Sequence, residues 1–255
     1  MRARNYDANA IVLKYMPLNE ADRIITFYTL EMGRSTAIAK GVRRPTSKLS
    51  GSLEPLNLVR ISVAKTSSID IVQECVLENA FVDIKKDIIK VAEAIYIAEL
   101  VDAFSEDWEP NKNLFSLLQD YLKILDSNLF SPLIIRMFEM KLLDCSGFLP
   151  ELRECLTCRE NLPPDKYLFD IEFGGVTCSN CVNDSGNNGI LISQDAMKLL
   201  RWLQLSSEVT KIKSMNLSKN LLSEVKIVLN NYLKHLSERK LKSAKFTNQV
   251  DLFNS

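Results

Sequence analysis

The sequence of 255 residues has a single histidine and lacks the short motifs on which common enzyme chemistries depend. It contains no GxxxxGK(S/T) or GxGxxG loop, no HExxH motif and no GxSxG nucleophile turn. The one histidine, His235, lies among basic residues on a predicted terminal helix, a setting more typical of a surface side chain than of a general base. The sequence therefore lacks the motifs needed for nucleotide hydrolysis, dinucleotide chemistry, zinc proteolysis and serine hydrolysis. We predict a binding protein and no enzyme.

Long apolar runs are also missing, although 46% of the residues are hydrophobic and suffice for a packed core. The first seven residues, MRARNYD, lack the apolar region of a secretion signal, and no segment reaches the length of a membrane span. We therefore expect a cytoplasmic protein without a membrane partner.

The chain has no net charge, but its charges are segregated along the sequence. Residues 33–65 carry seven basic side chains and one acid, residues 70–110 carry eleven acids and three lysines, and residues 211–245 carry nine basic side chains and two acids. Separate basic and acidic faces suggest separate partners, and a basic face is typical of a polyanion-binding site.

Four of the six cysteines form two CxxC pairs separated by nineteen residues. The pairs are Cys155 with Cys158 and Cys178 with Cys181. This spacing is typical of a four-cysteine zinc site, in which two tight turns direct four thiolates at one ion. Four thiolates leave no position for water or substrate, so we predict a structural Zn²⁺. Two disulfides, four unrelated buried cysteines and a thioredoxin-like redox pair are the alternatives.

Residues 8–78 read as five short strands rich in β-branched side chains. In the fifth, alternation predicts one buried face, carrying Ile69, Ile71, Cys75 and Leu77. Five strands in about seventy residues fit a small barrel of the OB type, with an SH3-like barrel as the alternative.

The segment between the third and fourth strands is rich in Gly, Pro and Ser, which predicts an exposed loop. Its basic side chains are placed to reach a phosphate backbone, although an ordinary solvated loop is the alternative. Tyr15, Phe27 and Tyr28 are possible stacking platforms for unpaired bases, with Tyr28 the better candidate because Phe27 shares a strand face with Ile25.

After residue 80 the apolar spacing becomes helical. Ser131 and Pro132 predict the start of a helix that Gly147 ends. The class is therefore α+β. We expect an OB-fold domain over residues 1–79 and an α-helical domain over residues 80–255, interrupted by a zinc finger at about 149–184.

Several sequence elements, in their order along the chain, resemble those of a known family. AKGVRR at residues 39–44 and GFLPELREC at residues 147–155, followed by the CxxC pairs, YLFD and LKSAKF in the same order, are similar to the bacterial DNA repair RecO family. The resemblance covers nearly the whole chain and implies an OB fold followed by a helical domain with a zinc finger.

Membership would also imply function. The family binds single- and double-stranded DNA, anneals complementary strands without ATP, and assists RecA loading on DNA coated by single-strand-binding protein (SSB), together with RecR. Its partners here would be DNA, RecR and the C-terminal tail of SSB, with nucleoid association when DNA is bound. We expect these DNA-binding residues: Arg34, Lys40, Arg43, Arg44, Lys48, Lys240, Lys242 and Lys245. A zinc-dependent protein adaptor without DNA activity, and a nuclease or hydrolase, remain as alternatives.

Overall fold

The computed structural model of the chain describes residues 5–127, 129, 131–182, 189–206, 209–215 and 217–237. These residues form two compact units, which divide after residue 128.

The first unit begins with a closed barrel in the strand order β1-β2-β3-β5-β4. Its strands are β1 (Asn5–Pro17), β2 (Arg23–Thr29), β3 (Gly33–Ala39), β4 (Leu58–Ala64) and β5 (Asp70–Asn79). All neighbouring pairs are antiparallel except β3 and β5, which pair in parallel at two positions. The predicted OB-like barrel is thereby confirmed.

The barrel encloses an apolar core made mainly of Ala, Val and Ile side chains, as the alternating strand patterns require. In β3 every second residue is buried, so one face of the strand lines the core. The buried members of this core are Ala8, Ala10, Val12, Ile25, Phe27, Ala37, Ala39, Val42, Leu53, Val59, Ile61, Val63 and Val72.

Strand β5 departs from the alternation expected of it. Val72 pairs with Val63 of β4 while Glu74 pairs with the preceding residue, so Gln73 is an extra residue in a bulge. The bulge exchanges the two faces of the strand. Asp70 and Val72 are therefore buried. The prediction had instead placed Ile69 and Ile71 on the buried face. After the bulge the prediction holds for Cys75, which packs against the core, and is wrong for Leu77, which is 43% exposed.

Two helices complete the first unit, preceded by a short 3₁₀ turn (Ile84–Lys86). Helix α1 spans Ile88–Ala103, and the side chain of Asp87 caps its first turn. Helix α2 spans Lys112–Asp126 and is capped by Asn111, whose side chain accepts a hydrogen bond from the Leu114 amide. An N-cap of this kind satisfies backbone donors that the first turn leaves open.

The second unit contains three helices and a four-stranded sheet in the order β6-β8-β7-β9. Its elements are α3 (Pro132–Cys145), β6 (Glu151–Cys155), β7 (Tyr167–Asp170), β8 (Gly175–Cys178), β9 (Gly189–Ile192), α4 (Gln194–Leu205), a 3₁₀ turn (Val209–Ser214) and α5 (Lys219–Leu236). Helix α3 begins after the Ser131 cap, and Gly147 follows its end at φ 76°, as predicted. Over the described ranges, no helix has the length and apolar content needed to cross a membrane.

Candidate metal centre and basic loop

The two CxxC pairs follow the ends of two neighbouring strands. Strands β6 and β8 are paired in parallel, so their carboxyl ends lie at the same edge of the sheet. Cys155 is the last residue of β6 and Cys178 the last residue of β8. The turn after each strand then brings back the second cysteine of each pair, Cys158 or Cys181. Parallel pairing therefore places all four cysteines together.

The four sulfur atoms lie within 4.8 Å of one another, and the Sγ atoms of Cys158 and Cys178 are 4.0 Å apart. A zinc ion with four sulfur ligands at about 2.3 Å would separate those sulfurs by about 3.8 Å. The cluster is therefore of the size that one tetrahedral ion requires. None of the six cysteines, all of which lie in the described ranges, forms a disulfide. The four clustered residues could bind a metal ion.

Tight turns on both sides hold these thiols in place. The Arg159 amide donates to the Cys155 carbonyl at 2.9 Å, with Arg159 at φ 63°, and the Cys181 amide donates to the Cys178 carbonyl at 3.0 Å. Gly174, which precedes β8, has φ 63°, and a β-carbon there would lie 2.1 Å from the Tyr232 hydroxyl oxygen. Only glycine fits that position, at the turn that leads into the strand of the second pair.

Backbone amides also prepare one thiol to act as a ligand. Burial opposes ionisation of the Cys155 thiol, but the N–H groups of Cys178, Cys158 and Thr157 outweigh it and lower the pKa of Cys155 to about 6. The Cys178 amide donates to the Cys155 sulfur at 3.4 Å. Because the thiolate is the form that binds metal, this arrangement favours coordination at neutral pH.

The second feature is the basic loop, which we define as residues 40–48. Lys40, Arg43, Arg44 and Lys48 are all exposed on it, as the sequence predicts for side chains that meet a polyanion. Val42, in contrast, is fully buried in the barrel core. The loop is therefore fixed to the barrel by one apolar side chain while its basic side chains face solvent.

Arg34 differs from the other predicted DNA-binding residues. Its guanidinium bonds Asp102 of α1 at 2.6 Å and also pairs with Asp107, and its side chain is 13% exposed. Lys14 bonds the same Asp102 at 2.6 Å. These contacts attach α1 to the barrel, so the surroundings of Arg34 favour a structural role.

The predicted stacking residues are not equivalent either. Tyr28 is 1% exposed and stacks on Phe115 of α2 with ring centroids 6.5 Å apart, so the choice of Tyr28 as a base-stacking platform is wrong. Phe27 is in the core, as expected. Tyr15 is half-buried, and the guanidinium carbon of Arg23 lies 3.8 Å from its ring centroid. One face of Tyr15 is thus already covered.

Three further DNA-binding predictions, Lys240, Lys242 and Lys245, lie outside the described residues. Sequence reasoning also missed residues that contact the basic loop, namely Asn19, Ala21 and Asp22 of the β1–β2 turn. The sequence NEAD at 19–22 is typical of a turn. Nothing in it indicates that the turn contacts a loop twenty residues further along.

The protein is therefore of the α+β class, with a small OB-like barrel followed by a helical part that carries a four-cysteine cluster. Two family models match the chain, "Recombination protein O N terminal" over residues 1–81 and "Recombination protein O C terminal" over residues 85–245.

Curated relatives match over almost the full length. The DNA repair protein RecO of Desulforamulus reducens is 32% identical over 245 residues, which cover 96% of this chain and 94% of the relative. RecO proteins of Dehalococcoides mccartyi and Roseiflexus are also 32% identical, over 95% and 98% of this chain and 94% and 87% of their own lengths. The chain therefore belongs to the RecO family.

Proposed function

We propose that this protein is a DNA repair and recombination mediator that binds single- and double-stranded DNA. On this proposal it anneals complementary strands without ATP and, together with RecR, assists RecA loading on SSB-coated DNA. The observation that carries the proposal is the basic loop, whose four cationic side chains are exposed beside the OB-like barrel of a RecO family member.

The proposed mechanism is electrostatic. Two complementary strands repel each other through their phosphates, and a basic surface that binds phosphate releases counterions and lowers that repulsion. Contacts to phosphate leave the base edges free to pair. No bond in the DNA is made or broken, so annealing needs no catalytic residue. The lack of a phosphate-binding loop motif is the reason to expect that ATP is not required.

We also propose that the four cysteines hold one structural Zn²⁺. The support is the cluster itself, with four sulfurs within 4.8 Å and a closed ligand set. When bound, the ion would connect the turns after β6 and β8 and stabilise the finger at about residues 149–184. Cysteine residues would supply every ligand, so the ion would not activate water.

The domain roles follow as proposals. Residues 1–79 would form the OB-fold DNA-binding domain and residues 80–255 the helical domain, a division close to the one between the two family models at residues 81 and 85. Physically, α1 and α2 belong to the same compact unit as the barrel. RecR and the SSB tail are proposed as partners on the strength of family membership alone, and DNA binding would place the protein at the nucleoid in the cytoplasm.

The deciding experiment measures the salt dependence of binding to a labelled single-stranded oligonucleotide. If Arg43 and Arg44 each neutralise one phosphate, the Arg43→Ala, Arg44→Ala double variant should reduce the slope of log K against log salt by about 1.4, taking about 0.7 per contact. The loss of affinity should be similar for every DNA sequence, because phosphate contacts carry no base information.

A matched control removes two lysines from exposed helix surfaces, Lys123→Ala with Lys198→Ala, which are 52% and 64% exposed. This control should keep the wild-type slope. An unchanged slope in the arginine variant would exclude the loop from the DNA site. Annealing of complementary oligonucleotides with and without ATP tests the rest, and a strict need for ATP would contradict the mechanism. Wild-type protein that binds no DNA would favour a zinc-dependent protein adaptor, while cleavage of DNA on addition of metal would favour a nuclease.

A further inference from the structure

The tip of the β1–β2 hairpin contacts the start of the basic loop directly. The Gly41 amide donates to Asp22 Oδ1 at 2.6 Å, and the Arg43 amide donates to the Ala21 carbonyl at 3.0 Å. The Arg43 guanidinium reaches the same tip, with Nη1 2.9 Å from the Asn19 carbonyl oxygen. Two backbone groups and one side chain of the loop are therefore bound to three residues of the tip, Asn19, Ala21 and Asp22.

Asn19 orders the tip that provides these acceptors. Its Oδ1 accepts hydrogen bonds from the amides of Ala21 and Asp22, at 2.9 and 2.8 Å. Its Nδ2 donates to Asp22 Oδ2 at 2.9 Å. Since Asp22 uses one carboxylate oxygen for Asn19 and the other for Gly41, its side chain has a fixed orientation. The tip is pre-organised to bind the loop.

The hairpin also contacts the far side of the β3–β4 connection. Arg23, next to Asp22, bonds Glu54 at 3.0 Å while its guanidinium covers the Tyr15 ring. Val42 and Leu53 are fully buried in the barrel core. The connection is thus held near both ends by adjacent residues of one hairpin, and apolar side chains attach it in between.

The charge of Asp22 argues against a direct role in binding a polyanion. The Gly41 amide and the Asn19 side chain, followed by Lys40 and Arg44, lower the pKa of Asp22, so it is an anion at neutral pH. An anion beside a basic loop weakens the attraction of that loop for phosphate. Its contacts suit a different task, because a loop already held in one shape loses less conformational entropy when it binds.

We propose that the hairpin tip, residues 19–22, is a clamp that holds the basic loop in its DNA-binding shape, with Asp22 as the positioning residue. The proposal rests on DNA binding by the loop. On this proposal Arg43 bonds the hairpin tip and also contacts phosphate. Lys40, Arg44 and Lys48 are exposed cations that the clamp holds in position for DNA.

The test separates the clamp from the charge of Asp22. Asp22→Ala and Asp22→Asn both remove the negative charge, but only the Asn side chain keeps an oxygen that can accept the Gly41 N–H. Asn19→Ala opens the clamp from its other side with no change of charge. Amide hydrogen exchange of Gly41 and Arg43 is measured on each protein without DNA. Affinity for a labelled single-stranded oligonucleotide is then measured at one fixed salt concentration.

With Asp22→Ala we expect exchange of the Gly41 amide to become at least about 10-fold faster, since its only hydrogen bond acceptor in the clamp is lost. Affinity should fall about 5-fold relative to Asp22→Asn, whose equal charge makes it the matched control. Asn19→Ala should likewise make exchange of the Gly41 amide faster and lower the affinity for the oligonucleotide. The melting temperature should stay within about 2 °C of wild type in all three, because the site is at the surface.

Exchange at Gly41 that is equal in Asp22→Ala and wild type would overturn the clamp. Faster exchange with equal affinity of the Ala and Asn variants would overturn its positioning role. Wild-type protein that does not bind DNA would refute the proposed function and the positioning role together, while exchange, measured without DNA, would still decide whether the clamp exists.

Discussion

The barrel and the cysteine ribbon, by which we mean strands β6–β9 with their turns, are both small β structures with different sources of stability. The barrel closes five strands of seven to thirteen residues around thirteen buried side chains. The strands of the ribbon have four or five residues, and Phe173 and Leu191 on it are 74% and 65% exposed. The barrel can rely on apolar burial spread over many residues, whereas the ribbon converges on four cysteines.

The difference teaches where each region is vulnerable. A barrel held by many apolar contacts should lose stability in proportion to the volume removed at one position. If the ribbon holds one ion, as proposed, it should fail when any one ligand is lost, because metal binding and local folding would be coupled. Four predictions sharpen this comparison, from the largest expected effect to the smallest.

Cys155→Ser should abolish tight zinc binding and unfold the ribbon, lowering its local free energy of unfolding by more than about 4 kcal/mol. Metal analysis should fall from one zinc per chain to none, and amide protection over residues 151–178 should be lost. The control is Cys75→Ser, which changes a half-buried thiol outside the cluster and should keep the zinc. One zinc retained by the Cys155 variant would show that the cluster is not the metal site.

Phe27→Ala should lower the free energy of unfolding by about 3–4 kcal/mol, because Phe27 is fully buried and its loss leaves a cavity in the barrel. Denaturant unfolding measures the change. Zinc content should remain at one per chain under conditions where the variant is folded. The conservative change Phe27→Leu should cost only about 1.5 kcal/mol, and equal losses for both variants would contradict the cavity explanation.

Asp102→Ala should destabilise the barrel unit by about 2–3 kcal/mol. The change leaves the nearly buried Arg34 guanidinium without its α1 partner. The expected loss of stability is kept at this modest size because Lys14, the second partner of Asp102, is 48% exposed and its ion pair is screened by solvent. Burial alone would raise the pKa of Asp102, but its hydrogen bonds from Lys14 and Arg34 outweigh burial and lower that pKa. The stability that Asp102 adds should therefore be complete above the unfolded pKa of about 3.9 and disappear as pH falls through the lower folded value.

Unfolding of wild type and Asp102→Ala across pH 7 to 3 tests this dependence, and a stability difference that stays constant with pH would contradict it. Arg34→Ala provides the matched change on the barrel side. If Arg34 is structural, as its contacts favour, the variant should lose stability and keep the wild-type salt slope of DNA binding. A reduced slope would return Arg34 to the DNA site.

Ser218→Ala should have the smallest effect, about 1 kcal/mol, because the Ser218 hydroxyl accepts a 3.2 Å hydrogen bond from the Leu221 amide at the start of α5. Thermal unfolding of the second unit measures it. Ser218→Asp retains a capping oxygen and should be nearly neutral. Equal destabilisation by Ala and Asp would mean that the hydroxyl does not act as a cap.

The sequence predicted most of this architecture because the patterns involved are local. Alternation over residues 8–78 indicated the strands, helical spacing indicated α1 and α2, and Ser131, Pro132 and Gly147 placed both ends of α3. The paired CxxC spacing predicted the cluster, since two residues between cysteines are enough to fold one turn around an ion. Each of these signals depends on neighbours in the chain.

The failures have a common physical cause. Tyr28 was chosen as an exposed stacking residue, but α2, more than eighty residues away, covers it through Phe115. Alternation predicted the wrong face for the start of β5, because one extra residue at Gln73 changes which side chains point inward. In both cases the pairing with another element decided the outcome, α2 for Tyr28 and the neighbouring strand β4 for β5.

What the sequence by itself determined is therefore the order of the strands and helices, the four clustered cysteines and the basic charge of the loop at residues 40–48. Only the tertiary structure decided how the basic side chains of the barrel unit are paired. Arg34, before the loop, is bound to Asp102 of α1, and Arg43 is exposed but also bonds the hairpin tip at Asn19, while Arg44 is exposed. Charge belongs to a residue type and can be read from the chain, but its pairing depends on which distant groups the fold brings within hydrogen-bonding distance.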